Sequence, residues 1–408
     1  MSAIFYPDII DLLKNYEQKG SKYGLERTRA LLNLFGSPDK KLKIVHIAGS
    51  NGKGSTAAFI TNILIAAGYR VGTFTSPEVY SFSEQFAFNG RGEEEFIKYY
   101  LSEVYSSSLE MEDKPTAFEI MTVAALAAFA ASGCEYAVIE CGLGGKDDST
   151  NAISQKSVAV ITSVSLEHTA ILGKTIEQIC QAKAGIIDNC PAVISALQLP
   201  GGRQYFSRFT KEFAGDGLEI TSRTQEGQTF RYKGGEYCIR MSGDAQCYNA
   251  AVAIEVARLL GVGGCQINAG LVLTKSSGRC ERLQKGEVSY ILDGAHNPAA
   301  FSPLLDIVNR ADGKKSLVFG CLSDKDVQGA AEILSPAFDE ILIFQPKSYR
   351  AMDADKIYSA FAKADAAKKI IKVDSASEGL QRASGKVVSI CGTFTCLKEA
   401  KEWIERGQ

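Results

Sequence analysis

The chain is poor in histidine and tryptophan: it has only His46, His168 and His296, and one tryptophan in 408 residues. Its eleven cysteines contain no Cys-x-x-Cys pair. Unclustered thiols and so few imidazoles exclude a zinc ribbon or finger. An odd cysteine count without a secretory leader reads as reduced thiols of a cytoplasmic protein, most of them small buried hydrophobes. No run reaches the roughly 18 uncharged apolar residues of a membrane span, and Met121 to Ala131 is too short. Near the start, Asp8, Asp11 and Lys14 interrupt any signal-like apolar core. A net charge of −2 provides no excess of either sign, so neither nucleic acid nor membrane is expected as a partner.

What is present is the balance of an ordinary soluble protein, with 45% hydrophobic and 23% charged residues. The length is too great for one typical core, so two domains are expected. Apolar runs at Ile44–Ala48, Val71–Thr75, Tyr136–Ile139, Val158–Ser163 and Ala192–Ala196 alternate with helical patterns at Thr56–Ala67, Glu93–Ser106 and Ala117–Ser132. That alternation predicts an α/β domain with a mostly parallel sheet. Gly234-Gly235 between two short alternating runs predicts a small β-hairpin insertion, followed by a helix over Tyr248–Leu260. Five further buried strands (Ser289–Leu292, Ser316–Phe319, Ile341–Phe344, Ile370–Val373 and Val387–Ile390) predict a second, doubly wound Rossmann-like domain. The expected division is 1–285 and 286–408, near Lys285–Gly286.

The most informative stretch is Gly49-Ser50-Asn51-Gly52-Lys53-Gly54-Ser55, between a predicted strand and a predicted helix. A glycine-rich turn at a helix start lets backbone N–H groups face phosphate oxygens, a lysine adds charge, and a hydroxyl can reach magnesium. Gly54 separates Lys53 from Ser55, which departs from the usual Walker spacing. Glu140 ends a predicted strand before Gly142-Leu143-Gly144-Gly145; a carboxylate at that sheet edge is well placed for magnesium, or else caps a loop. His168 also follows a buried strand, and a histidine there is either structural or a ligand. Lys183, on an alanine-rich helix, reads from the sequence as a solvated charge or a functional one. In the second half, Arg279 suits phosphate charge and Asp293, ending a first strand, suits a ribose hydroxyl; either could instead form a salt bridge.

These motifs together resemble the folylpolyglutamate synthase/dihydrofolate synthase branch of the Mur ligase family. Tyr23-Gly24-Leu25-Glu26-Arg27, the phosphate loop, Glu140-Cys141-Gly142-Leu143-Gly144-Gly145, His168-Thr169, Lys183-Ala184-Gly185-Ile186, Asp293-Gly294-Ala295-His296-Asn297-Pro298 and Asp324-Lys325-Asp326 occur in the family's order. The resemblance implies an ATP-dependent acid–amine ligase. Such an enzyme phosphorylates a carboxylate and lets the amino group of L-glutamate displace the phosphate, in a cleft that closes between two domains. It implies Lys53, Lys183 and His296 as the catalytic set, with Lys183 carried as a carbamate. Gly49 through Ser55, Asn249, Arg279 and Asp293 are then the ATP contacts, and Ser76, Glu140 and His168 the Mg²⁺ ligands. The implied small-molecule partners are ATP, L-glutamate and dihydropteroate or a reduced folate, and the implied oligomeric state is a monomer.

The chain departs from the family between Ser76 and Phe86. Glu78 stands where histidine is usual, and Ser83-Glu84-Gln85-Phe86 stands where a Glu-Arg-Ile ending is usual, without its arginine. That loop borders the implied acid site. It keeps open a second expectation, a Mur-ligase-like amide ligase acting on a non-folate acid. A nucleotide-binding regulator is the reading from a different class, and the retained Glu140, His168, Lys183 and Asp293 weigh against it.

Overall fold

The computed structural model describes residues 6, 8–17, 24–224, 227–275 and 277–406. Tyr23 of the opening signature and Ser276 lie outside the described residues. The chain divides into two compact units. One comprises Met1–Arg223, Thr229–Arg240 and Cys247–Thr274, and the other Thr224–Gln228, Met241–Gln246 and Lys275–Gln408.

The first unit is built on eight strands: β1 Lys43–Ala48, β2 Val71–Phe74, β3 Phe86–Phe88, β4 Arg91–Gly92, β5 Tyr136–Glu140, β6 Val158–Ile161, β7 Val193–Ala196 and β8 Phe213–Ala214. Their order in the sheet is β4-β3-β2-β5-β1-β6-β7-β8. From β2 to β8 every neighbouring pair is parallel, and only the β2–β3 and β3–β4 pairings at one edge are antiparallel. The central strands are buried along their lengths: β5 and β6 expose no residue on either face. That is why they read in the sequence as unbroken apolar runs instead of alternating ones. The helix Ala117–Ala131 covers one face. Thr116 starts it with a capping box, accepting from the Glu119 amide while the Glu119 side chain returns to the Thr116 amide.

The expected hairpin is present as β10 Gln228–Tyr232 and β11 Gly235–Ile239, joined by a third strand, β9 Glu219–Arg223. The second unit's sheet contains β12 Glu281–Lys285, β13 Val288–Leu292, β14 Lys315–Phe319, β15 Glu340–Ile343, β16 Lys369–Lys372 and β17 Val387–Cys391. The order is β12-β13-β17-β14-β15-β16, parallel except at the β12 edge. Gly286, where the domain division was expected, lies in the tight turn between β12 and β13, both strands of this second sheet. A polar, alternating strand such as Glu281–Lys285 carries no apolar run to announce it.

Candidate active site

The strand order gathers the sequence motifs at one sheet edge. Strands β2, β5, β1 and β6 are consecutive neighbours. Their carboxyl ends lead to Ser76, Glu140, the 49–55 turn and the 163–168 segment respectively. The register makes this local: Glu140 pairs with Ile47, Ile161 with Ala48, and Phe74 with Ile139. In open parallel sheets ligands bind outside this edge.

The helix after β1 runs Lys53–Ala66, so the end of the glycine turn is itself the first helical turn. Gly52 is its N-cap in the left-handed region, at φ +87°. A Cβ at Gly52 would strike the Asn249 side-chain oxygen, which fits this backbone against the helix Asp244–Leu259. Thr56 N–H closes the first turn on Gly52 O at 2.8 Å. By helix geometry the amides of Gly52, Lys53, Gly54 and Ser55 have no acceptor inside the helix and point out of its positive end.

The amides of Ser50 and Asn51 are differently employed. Both donate to Ser163 O, at 2.8 and 3.2 Å. Ser50 Oγ donates to Ser165 O at 3.1 Å and accepts from the Ser165 amide at 3.0 Å. Asn51 Nδ2 donates to Ser165 Oγ at 3.2 Å. Ser50 and Asn51, expected among the nucleotide contacts, therefore stitch the turn to the segment after β6.

Four charged side chains meet here. Lys53 Nζ donates to Gly49 O at 3.1 Å and stands 3.9 Å from Glu140 Oε1. Glu140 is buried. Lys183 is 1% exposed, which rules out the solvated reading. Its Nζ donates to Gly49 O at 2.9 Å and to Glu167 Oε1 at 2.6 Å. Burial lowers the Lys183 pKa below the ordinary lysine range; Glu167 opposes this and Lys53 adds to it. Burial works against the Glu167 charge too. There Lys183 and Lys53, with the hydrogen bond from Lys183, prevail and hold the carboxyl at about 2.

His168 takes a left-handed conformation, φ +46°, and its carbonyl accepts from the Ile171 and Leu172 amides in a single helical turn. Ser76 is half-buried, two residues past β2. His46, one strand residue before Ile47, is fully buried. Its Nε2 lies 2.8 Å from Thr150 Oγ1 and 3.1 Å from Cys141 Sγ, and burial drives its pKa far down, so it packs as a neutral ring behind the site.

The second unit has its own cluster. Asp293, at the end of β13, accepts from the amides of Cys280 (2.7 Å) and Ala295 (2.6 Å) and from Cys280 Sγ (2.9 Å). Its immediate work is to pin the two loops together. Burial raises its pKa, and the hydrogen bonds and Arg279 pull the other way. The Arg279 guanidinium lies 4.5 Å from the centre of the Phe394 ring. His296 meets the same ring edge-on at 6.3 Å. His296 Nδ1 lies 2.8 Å from Gly294 O; a carbonyl only accepts, so Nδ1 carries the proton. Phe394 fills the space a side chain at Gly294 would need. Of the Asp324-Lys325-Asp326 block, Asp324 pairs with Arg350 at 2.8 Å and Asp326 caps the helix Val327–Leu334.

The Mur ligase middle domain model matches residues 47–257, and the model of the Mur ligase glutamate ligase domain matches 278–394. The chain belongs to the Mur ligase family. Within it, the chain falls in the folylpolyglutamate/dihydrofolate synthase branch. A Bacillus subtilis dihydrofolate synthase/folylpolyglutamate synthase is 35% identical over 368 residues, covering 84% of this chain and 85% of the relative. A Mycobacterium tuberculosis folylpolyglutamate synthase, solved with ADP and AMPPCP, superposes with a TM-score of 0.88 at 27% identity, over 98% and 99% of the two chains. A bifunctional folylpolyglutamate synthase/dihydrofolate synthase solved with Mn, AMPPNP and L-glutamate gives 0.82 at 26%, over 97% of each.

The Mur ligase motifs left two residues unmarked. Glu167 was visible only as the neighbour of His168, and its link to Lys183 depends on where the helix Ile176–Ala184 packs. Phe394 follows the last strand, and its tie to Arg279 and His296 needs the sheet order that sets β17 beside β13. For a metal, the residues offer one buried carboxylate (Glu140), one imidazole (His168) and one hydroxyl (Ser76). No group of three His, Cys, Asp or Glu able to hold an ion occurs among the described residues. The carboxylate and the hydroxyl fit a hard cation such as magnesium, which takes one or two carboxylates and completes its shell with phosphate oxygens and waters; the imidazole is the softer donor of the three.

Proposed function

We propose that this chain is an ATP-dependent ligase that joins the amino group of L-glutamate to a folate-type carboxylate through an acyl phosphate. The observation that carries it is the phosphate turn: four outward amides and Lys53 at a helix start, one strand away from buried Glu140, in a Mur ligase framework. A carboxylate oxygen attacks the γ-phosphorus and ADP leaves. The amine then attacks the acyl carbon, phosphate leaves, and the nitrogen gives up a proton. Lys53 and the amides of Gly52 to Ser55 hold and neutralise the phosphates, and Gly49, Ser50 and Asn51 keep the turn in shape. A magnesium ion held by Ser76, Glu140 and His168 would supply further charge neutralisation on the phosphates. In the second unit, Arg279 offers a guanidinium to a nucleotide and Asp293 keeps its loop in place. The family resemblance assigns His296 a catalytic role, and its ring is held by Gly294 O and Phe394. The reading extends to a cytoplasmic monomer that takes no nucleic acid; the free cysteines support the compartment and the net charge of −2 supports the lack of a nucleic-acid partner.

A carbamate on Lys183 is the finer part of this reading. Carbon dioxide adds only to the uncharged amine, and burial of Lys183 favours that form. The modification would exchange the ion pair with Glu167 for a new anion. Intact-protein mass spectra and ¹³C NMR after bicarbonate labelling read it directly; an unlabelled Lys183 in active enzyme removes it.

The test of function is ADP release by purified protein. Release requiring both glutamate and either dihydropteroate or a tetrahydrofolate is the expected result, and the preferred pterin assigns the substrate. ATP turnover that no pterin stimulates but another carboxylate does would overturn the folate reading. Among the named relatives, dihydrofolate and folylpolyglutamate synthases favour the folate acid over the non-folate alternative.

A further inference from the structure

Three loops of the second unit meet around one aromatic ring. Strand β17 lies between β13 and β14, which brings the segment after β17 beside the end of β13. Gly294 N–H donates to Gly278 O at 2.8 Å, and Gly392 N–H to Ala295 O at 2.8 Å, so segments 278–280, 293–296 and 392–396 are tied in series. Thr393 caps the turn Phe394–Cys396 by accepting from the Thr395 amide. Phe394 is 6% exposed. A Cβ at Gly294 would strike its ring, and the His296 ring meets it edge-on. The fold itself therefore holds the ring in place. The Arg279 guanidinium lies over it, 4.5 Å from its centre. Among the described residues Arg279 forms no ion pair and no side-chain hydrogen bond; Asp293 attracts it at longer range.

We propose that Phe394 is a positioning residue: its ring holds the Arg279 guanidinium and leaves the N–H edge to the phosphates of a bound nucleotide. This rests on the reading that Arg279 is a nucleotide contact. A guanidinium is planar, and its N–H donors form a fixed fork in that plane. The negative face of an aromatic ring attracts the cation without using any of those donors. A carboxylate partner would use them, and would cancel the charge that a phosphate needs. The ring also limits where a long, rotamer-rich side chain can go, so less freedom is lost when the nucleotide binds. An aliphatic residue of similar bulk at 394 would fill the space beside Gly294 and supply no such attraction. Phe394 acts through Arg279, so its removal weakens nucleotide binding more than it slows the chemical step.

The experiment measures AMPPNP binding with magnesium by calorimetry, alongside thermal melts, in the full-length chain and in Phe394→Leu, Arg279→Ala and the double variant. Phe394→Leu is expected to raise Kd about three- to tenfold with the fold intact. In the Arg279→Ala background the same change should move Kd by less than about twofold, because the group it acts through is gone. KM for ATP should rise by a larger factor than kcat falls. A folded Phe394→Leu with Kd within about twofold of the parent overturns the proposal, as does an equal rise in both backgrounds; Phe394 is then a packing residue. If Phe394→Leu does not fold, a trifluorinated phenylalanine at 394 decides by the same criterion, since fluorine drains the ring face and nearly keeps its shape. AMPPNP binding needs neither acid nor amine, so a parent that binds it without ligating glutamate sinks the folate activity and leaves this test intact. A parent that does not bind AMPPNP, or one whose affinity Arg279→Ala leaves unchanged, removes the nucleotide reading of Arg279 and this proposal with it.

Discussion

The ammonium of Lys53 stands 3.9 Å from the Glu140 carboxylate, across two neighbouring strands and 87 positions of chain. The separation is too long for a hydrogen bond and short enough for strong attraction in a buried setting. It couples the phosphate turn to the proposed metal ligand.

Replacing Lys53 with alanine should therefore abolish ligation. Loss of a preorganised charge at a phosphoryl-transfer site costs about 100-fold or more in kcat. Glutamate- and pterin-dependent ADP release measures it. Activity within tenfold of the parent would remove Lys53 from the phosphates.

Gly52→Ala adds a Cβ against Asn249 at a backbone angle of +87°. Left-handed backbone costs an L-residue about 1–2 kcal/mol even without a clash. ADP affinity should fall by about tenfold or more while most of the fold survives. Unchanged affinity would show that this turn tolerates a side chain and does not set the phosphate contacts.

Arg27 of the opening signature is a structural residue. Its Nε lies 3.1 Å from both carboxylate oxygens of Glu119 and its Nη1 3.0 Å from Asp113, with Arg27 and Glu119 both buried. Arg27→Ala strands the Glu119 charge and should cost about 3–5 kcal/mol in urea unfolding. Arg27→Lys should recover only part, because a lysine cannot form the planar fork. An alanine variant as stable as the parent contradicts this.

Glu340 in β15 is buried yet held at about 2: burial would raise its pKa, but Ser316, Ser384 and Lys369 hydrogen-bond its charged form and win. Its folded pKa is below its ordinary value of 4.5, so its stabilisation is complete above about pH 4.5 and lost as pH falls towards 2. Glu340→Gln should flatten that part of the stability–pH curve for the second unit. A variant with the same acid limb as the parent would exclude Glu340 as its source.

The Ser76–Phe86 loop shows how a departure from the family can be built into the fold. Phe82 and Phe86 are buried and their rings lie 5.4 Å apart, while Glu78 pairs with Lys14 at 2.8 Å. Glu78, in place of the usual histidine, serves a surface ion pair; in the segment that lacks the arginine, Glu84 accepts from the Tyr80 amide at 3.0 Å and Gln85 is buried.

The sequence by itself determined the alternating α/β architecture, the central buried strands and the phosphate turn. Those depend on local pattern: strands buried on both faces need continuous apolar runs, and a tight anion-binding turn needs glycine. It also marked Glu140, His168 and Asp293, because strand ends can be read from where an apolar run stops. Only the tertiary structure decided which strand ends are neighbours, and with that the roles of individual side chains. Lys183 read as a solvated charge or a functional one until its helix, Ile176–Ala184, buried it against Gly49 and Glu167. The amides of Ser50 and Asn51 looked available until Ser163 came alongside. Glu167 and Phe394 had no signal of their own, since their partners are distant in the chain and sheet order is not encoded in any local pattern.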